Sequence, residues 1–307
     1  MILHKYKEQV DLLFQVLPYV AKENMFALKG GTAINLFVRE MPRLSVDIDL
    51  TYLPLNSRND ALKNLAEGLN RIKVDIEKNI KGVRVHSVSL NGKTDVKLNC
   101  QGQNAQIKIE VNTITRGNIF PTKLMQVVDS VQDEFGKFAA INVVSFAELY
   151  GGKICAAVDR QHPRDIFDVK LLFENEGFTN DVWDGFKTGL ISHYKPISEL
   201  LSPILKDQKS AFDKQFLGMA RVNFSYGDYE NTRQRLIDTI SERLTDKDKK
   251  FLVSFEIGEP QWDLFPYDVL KDLPAIKWKL INIRRLKKEN IDKHQQIIKN
   301  LKDVLGL

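Results

Sequence analysis

Two cysteines, Cys100 and Cys155, are all the thiol chemistry in 307 residues. They are too few for a disulfide framework and too far apart for a zinc-type spacing, as in proteins of a reducing cytoplasm. Long apolar runs are missing too. No stretch approaches the roughly 20 residues that a membrane span requires. The opening segment, MILHKYKEQVDLLF, carries charges through what would be an apolar signal core, so it reads as an amphipathic helix and not as a secretory leader. A cytoplasmic chain without membrane association is expected. Internal repeats and low-complexity tracts are absent, which leaves an ordinary globular chain.

What is present fits that class. Apolar residues make up 43% and charged residues 28%. The length suits two domains. The net charge of +5, with a sequence pI near 8.9, is a mild bias compatible with a polyanionic partner. From Lys271 onward basic residues outnumber acidic ones by about two to one, including Arg284, Arg285, Lys287 and Lys288. That run suits the wet face of an amphipathic helix as well as an RNA-backbone surface. Trp262 and Trp278 are expected in the core.

The pattern along the chain predicts a helix over about 4–20, a strand at Phe26–Lys29, a Gly-Gly turn and a helix from Thr32 to Arg39. Ser45–Leu53 alternates like a strand. Residues 57–79 place Leu62, Leu65, Leu69, Ile72 and Ile76 at helical spacing. Strands follow near 83–90, 94–100 and 106–112, the first two joined by the hairpin signal Asn91-Gly92. After Val144 the pattern turns helical, with Ser145 and Glu148 at capping-box spacing. Leu236, Ile237, Ile240 and Leu244 form one helical face, and a long final helix carries Ile281, Ile283 and Leu286 to about Leu305. The turn at Glu176–Asn180 divides an α/β unit, residues 1–176, from a mostly helical half, residues 177–307.

The chemistry concentrates in Ser45-Val46-Asp47-Ile48-Asp49-Leu50. On a strand, Val46, Ile48 and Leu50 point inward, and Asp47 and Asp49 share the other face with Cα atoms about 6.6–7 Å apart. Adjacent carboxylates repel, and a divalent cation relieves them. Taken alone, such a pair is also what any solvated strand face shows. Gly30-Gly31-Thr32, just before a helix, permits close backbone approach and offers N–H groups to an anion. Thr32 is placed to cap that helix or to touch a phosphate. Ile107-Lys108-Ile109-Glu110-Val111-Asn112 repeats the alternation and makes Glu110 a candidate third carboxylate beside Asp47 and Asp49. Farther on, Lys153 lies on a helix, Pro163 opens the next, and Asp165 and Asp168 share one face of it.

A Gly-Gly turn opening a helix, then D-x-D on the next strand, then a single acid on a later strand, resembles the DNA-polymerase-β-like nucleotidyltransferases. With Leu28–Ile34, Arg43–Leu50 and Lys153–Asp168 in that order, the sequence resembles more narrowly the AbiEii/AbiGii toxin family, over about residues 26–173. Thr32 stands where the superfamily has Ser, and the spacing to D-x-D is slightly longer than usual. The resemblance implies an α+β fold: a polymerase-β-like nucleotidyltransferase core, a mixed sheet flanked by helices, with a mostly helical C-terminal domain. It implies a toxin paired with a cognate antitoxin from the same operon, moving an NMP group from an NTP to RNA, foremost a tRNA 3′ end, with Mg2+ or Mn2+. Asp47, Asp49 and Glu110 would hold the metal, and Gly30, Gly31, Thr32, Lys153 and Arg164 the nucleotide. Asp165 or Asp168 would support catalysis by orienting Lys153 or Arg164. Ser45 stands where related toxins carry a serine open to inactivating phosphorylation. A GTP-binding growth inhibitor without transfer, and nucleotidylation of a protein, remain the alternatives. Without the resemblance, Lys153 reads as an exposed helix lysine and Asp168 as a surface partner of Arg164 or Lys170. Arg160, His162 and Arg164 then read as a solvated basic loop.

Overall fold

The structure is a computed structural model that describes residues 4–90, 92 and 94–307. Contacts divide the chain into two compact units, Met1–Ser145 with Gly218–Asn223, and Phe146–Leu217 with Phe224–Leu307. The expected boundary at Glu176–Asn180 falls inside the second unit. There it is the short turn between two helices, with Gly177 at φ +70°.

The first unit opens with α1 (His4–Val20), followed by β1 (Phe26–Lys29). A short α2 (Gly30–Ala33) runs on into a π-helical turn, Ile34–Val38. Then come β2 (Ile48–Tyr52), α3 (Arg58–Asn79), β3 (Arg84–Leu90), β4 (Thr94–Gln101) and β5 (Gln106–Asn112). The unit continues with β6 (Lys123–Gln126), α4 (Asp129–Phe135) and β7 (Ala140–Val143). The strands form one mixed sheet in the order β3-β4-β5-β2-β1-β7-β6. β2 runs parallel to β5 and β1 parallel to β7, and the other neighbours are antiparallel. β3 and β4 pair as a hairpin, although Asn91 of the expected turn lies outside the described residues.

Alternation explains the sheet. Ile107, Ile109 and Val111 are buried while Lys108, Glu110 and Asn112 face out, a period of two along β5. Ile48 and Leu50 are fully buried on β2. Leu65, Leu69, Ile72 and Ile76 of α3 form the stripe that packs on the sheet, and Ser57 caps that helix by accepting from Asp60 N. β2 begins at Ile48, three residues later than the sequence pattern suggests, because the Asp47 carbonyl accepts from the Thr32 hydroxyl and not from a neighbouring strand.

The second unit is helical. It holds α5 (Phe146–Arg160), α6 (Pro163–Glu174), α7 (Asn180–Ser192), α8 (Ile197–Leu201) and α9 (Lys209–Gln215). α10 (Tyr226–Arg243), α11 (Asp246–Ile257), α12 (Pro274–Glu289) and α13 (Ile291–Leu305) complete it. Ser225–Asp228 and Thr245–Asp248 form capping boxes that start α10 and α11. The single long helix expected at the end is two helices. Asn290 closes α12 and its side chain caps α13 by accepting from Lys293 N. Trp278 is 56% exposed on α12 and Trp262 is half-buried, so Trp278 is not a core residue. Its neighbours at helical spacing, Ala275, Ile276, Lys279 and Leu280, take the buried face instead.

Candidate active site

In the first unit the turn between β1 and α2 is built around close backbone approaches. Gly30 has φ +75°, and a Cβ there would lie 2.5 Å from Asp49 Oδ2. Only glycine lets the Asp49 carboxylate pack against this backbone at the start of a helix, where N–H groups favour negative charge. Gly31 is equally constrained: a Cβ would come within 2.6 Å of Ser45 Oγ and 2.8 Å of Arg43 Nη2. Arg43 is 2% exposed, donates from Nη1 to its neighbour's carbonyl, Leu44 O, at 2.9 Å, and offers its N–H to Asn35 Oδ1. Asn35, fully buried in the π turn, donates in turn to Gly31 O at 2.8 Å.

Thr32 is fully buried, and its hydroxyl lies 2.5 Å from Asp47 O and 3.2 Å from Ser45 Oγ. It therefore fixes the Ser45–Asp47 loop. The hydroxyl that the sequence offers to a cap or a phosphate is spent on that loop. Asp47 is exposed and Asp49 half-buried, flanking the buried Ile48.

The sheet register places Lys29 opposite Asp49, Asp49 opposite Glu110, and Glu110 opposite Lys97. One rung across β1, β2, β5 and β4 thus sets two adjacent carboxylates between two lysines. Lys97 Nζ is 3.1 Å from Glu110 Oε2. Burial pushes the Lys29 ammonium below the usual lysine range, with Asp49 and then Glu110 opposing that shift. Glu110 reaches the neighbourhood of Asp49 as its alternation predicts. Yet among the described residues no group of three acidic, histidine or cysteine side chains is disposed to hold a metal ion. Glu110, set opposite Asp49 on the neighbouring strand, is engaged by Lys97. Magnesium is commonly held by one or two carboxylates plus substrate phosphates, a number that Asp47 and Asp49 would supply. Lys29 joins the site only through the sheet register. In the sequence it shows no more than a cation at a strand end just before Gly-Gly.

In the second unit, Lys153, Asp165 and Asp168 meet. Lys153 Nζ is 2.9 Å from Asp165 Oδ1 and 3.0 Å from Asp168 Oδ2, with the three side chains 7%, 1% and 0% exposed. Lys153 is therefore no solvated helix lysine, and Asp168 no surface acid. Arg160 adds a fork onto Asp165, from Nε to Oδ2 at 2.5 Å and from Nη2 to Oδ1 at 2.9 Å, while remaining 62% exposed. Burial alone would raise the Asp165 pKa. Lys153 and Arg160 outweigh it and hold the carboxyl well below the usual range. Two cations and two anions balance, and the exposed part of the cluster is the positive one. Arg160 lies seven residues from Lys153, hence on the same helical face, and that spacing is the sequence signal for its place in the cluster.

His162 positions α6. Its Nδ1 accepts from Arg164 N at 3.2 Å and its Nε2 faces Gln215 Oε1 at 3.1 Å, so the ring proton sits on Nε2. Burial lowers its pKa, the bond to Gln215 opposing. Pro163 follows at the first helical position and Asp165 falls in the first turn, where the helix dipole favours an acid. Arg164 is half-buried at that same N-terminus.

A family model described as the nucleotidyl transferase AbiEii toxin of type IV toxin–antitoxin systems matches residues 11–281. Among solved structures, MenT4, a nucleotidyltransferase toxin from Mycobacterium tuberculosis H37Rv, superposes with a TM-score of 0.59 at 13% identity. The match covers 91% of this chain and 94% of that chain, a likeness of fold. Compared by sequence with curated proteins, the chain matches none.

Proposed function

The chain belongs to the AbiEii family of nucleotidyltransferase toxins of type IV toxin–antitoxin systems, and from that premise we propose that it moves an NMP group from an NTP to the 3′ end of an RNA, foremost a tRNA. The observation that carries this reading is the close approach of the Asp49 carboxylate to Gly30, where an added Cβ would lie only 2.5 Å from Asp49 Oδ2. A carboxylate fixed against a helix start keeps its geometry without substrate, which is what phosphoryl-transfer chemistry asks of a metal-holding group.

In this reading Asp47 and Asp49 hold a divalent metal. Magnesium bound with the nucleotide would supply charge neutralisation on the phosphates and a lowered pKa for the attacking hydroxyl. Asp49 is positioned by Gly30, and the loop bearing Asp47 by Thr32. Gly30 and Gly31 present backbone to the nucleotide. Within the second unit, Asp165 and Asp168 orient Lys153, and Arg160 and Arg164 place further positive charge at the same helix end. Asp165 stays ionised through the neutral range, so it orients cations and exchanges no proton. The proposed setting is the cytoplasm, where NTPs and tRNA are found. Among the described residues no helix is long and apolar enough to cross a membrane. The antitoxin of the pair is the proposed regulatory partner.

Purified protein, Mg2+, each α-labelled NTP in turn and total RNA test this directly. A labelled species that RNase removes is the expected product. Label that survives RNase and yields to protease assigns a protein acceptor instead. Nucleotide binding with no labelled product under any condition points to a GTP-binding inhibitor.

A further inference from the structure

The far end of β2 from Asp49 carries a second gathering of positive charge that transfer does not use. The loop after β5 is tightly folded. Asn112 Oδ1 accepts from the N–H groups of Ile114 and Thr115, each at 2.9 Å. Arg116 N donates to Ile114 O at 3.0 Å and Gly117 N, at φ +80°, to Tyr52 O at 2.8 Å. These bonds seat Arg116 beside the last residue of β2. Its side chain is 6% exposed, and its Nε and Nη1 are buried without a hydrogen-bond partner. A buried guanidinium with unmet donors is an unfavourable arrangement that an anion would relieve.

The neighbours share that need. Burial lowers the Arg116 pKa, the charge of Arg58 lowers it further, and the Tyr52 phenol opposes. Arg58 is the first residue of the 22-residue helix α3. The Tyr52 hydroxyl oxygen accepts from Asn56 Nδ2 at 3.0 Å and from Asn64 Nδ2 at 3.2 Å. Both lone pairs are then used, and its own O–H is left to donate. Asn56 Oδ1 is another buried atom without a partner. Asp60, the acid of the same helical turn, is engaged by Ser57 Oγ at 2.6 Å.

Two guanidinium groups, a phenolic O–H and a helix N-terminus want an oxyanion. A phosphate matches the arginine fork and the helix start alike. The orphan acceptor, Asn56 Oδ1, wants a hydroxyl donor beside it. We propose that Arg116, Arg58, Tyr52, Asn56 and the start of α3 form a binding site for a ribose–phosphate unit, carried by RNA or by a free nucleotide. Tyr52 lies three residues from Asp49, or about 10 Å along the strand, so this site is separate from the carboxylates. It binds whether or not transfer takes place.

Thermal unfolding of the full chain in EDTA isolates this site from metal-dependent binding. Inorganic phosphate is titrated against sodium chloride of matched ionic strength. The wild type is expected to gain Tm saturably with phosphate. Arg116→Met is expected to lose that gain and, freed of an unpaired buried charge, to be at least as stable as wild type without phosphate. Arg58→Ala, at an exposed position, is a second variant expected to weaken the response. A short oligoribonucleotide, its deoxy counterpart and ATP then separate the sources, with binding of the true source weakened about fivefold or more in both variants. RNA or ATP responding in this way supports the proposal and names the carrier. No saturable gain in wild type, or an equal gain in both variants, overturns it. A response to inorganic phosphate with none to RNA or ATP overturns the ribose–phosphate assignment. Should Arg116→Met fail to fold, an undiminished response in Arg58→Ala overturns it as well.

Discussion

At the scale of single residues, activity and stability turn on side chains whose surroundings leave them little choice. Gly30 combines a positive φ with the Asp49 carboxylate at 2.5 Å from any Cβ. Gly30→Ala is expected to cost about 1–2 kcal/mol from backbone strain alone, and to lose transfer more severely than stability because Asp49 is displaced. Chemical denaturation beside a transfer assay reads both. Asp165 supplies a second test. Its folded pKa lies below the ordinary 3.8, so the stabilisation it contributes is fully present above that value and is lost as pH falls below it. Wild-type stability should therefore drop below about pH 4, and Asp165→Asn should flatten that part of the profile. At neutral pH the same change leaves Lys153 short of a partner in a buried cluster and should cost about 3–5 kcal/mol. A pH–stability profile of Asp165→Asn that tracks wild type below pH 4 would show that the cluster does not hold this carboxyl down.

At the scale of elements, the Gly151-Gly152 pair before Lys153 separates two roles that look alike in sequence. A Cβ on Gly151 would fall 2.3 Å from the Gly185 carbonyl carbon, and one on Gly185 2.2 Å from Ala147 O. α5 and α7 cross backbone to backbone there, and that crossing sets where α5 carries Lys153. Gly152 has open space around its Cβ position. Gly151→Ala should therefore destabilise by about 3 kcal/mol or more, while Gly152→Ala should be neutral or stabilising by about 0.5–1 kcal/mol. Urea titration of the two variants decides it. Elements with a strong period are legible in the residue pattern alone. α1, β1, α3 and β5 stand where Leu13 and Leu17, Phe26, Leu65 and Leu69, and Ile107 and Ile109 repeat at helical or strand spacing. β6, α4 and β7 are not, for a physical reason. β6 is an edge strand of four residues with Leu124 67% exposed, so it carries no buried alternation to read. The break at Asn290 is equally hidden, because α12 and α13 keep similar amphipathic composition on either side and only a capping side chain separates them.

At the scale of the whole molecule, the order of motifs is legible in the sequence and their side-chain partners are not. D-x-D and Gly-Gly point to nucleotide chemistry at the level of residue type. That Thr32 serves the Asp47 loop, that Glu110 goes to Lys97, and that Lys153 is buried between two aspartates depend on register and helix crossing, which residue spacing does not encode. The net charge of +5 contributes only a general bias toward anionic partners. The central claim is that Asp49, held against the Gly30 backbone, is required for nucleotide transfer and not for folding. Transfer of α-labelled NTP to RNA by Asp49→Ala, beside its thermal unfolding curve, measures this most directly. The expected result is a Tm within a few degrees of wild type and no labelled RNA. Full transfer by a folded Asp49→Ala protein would contradict it.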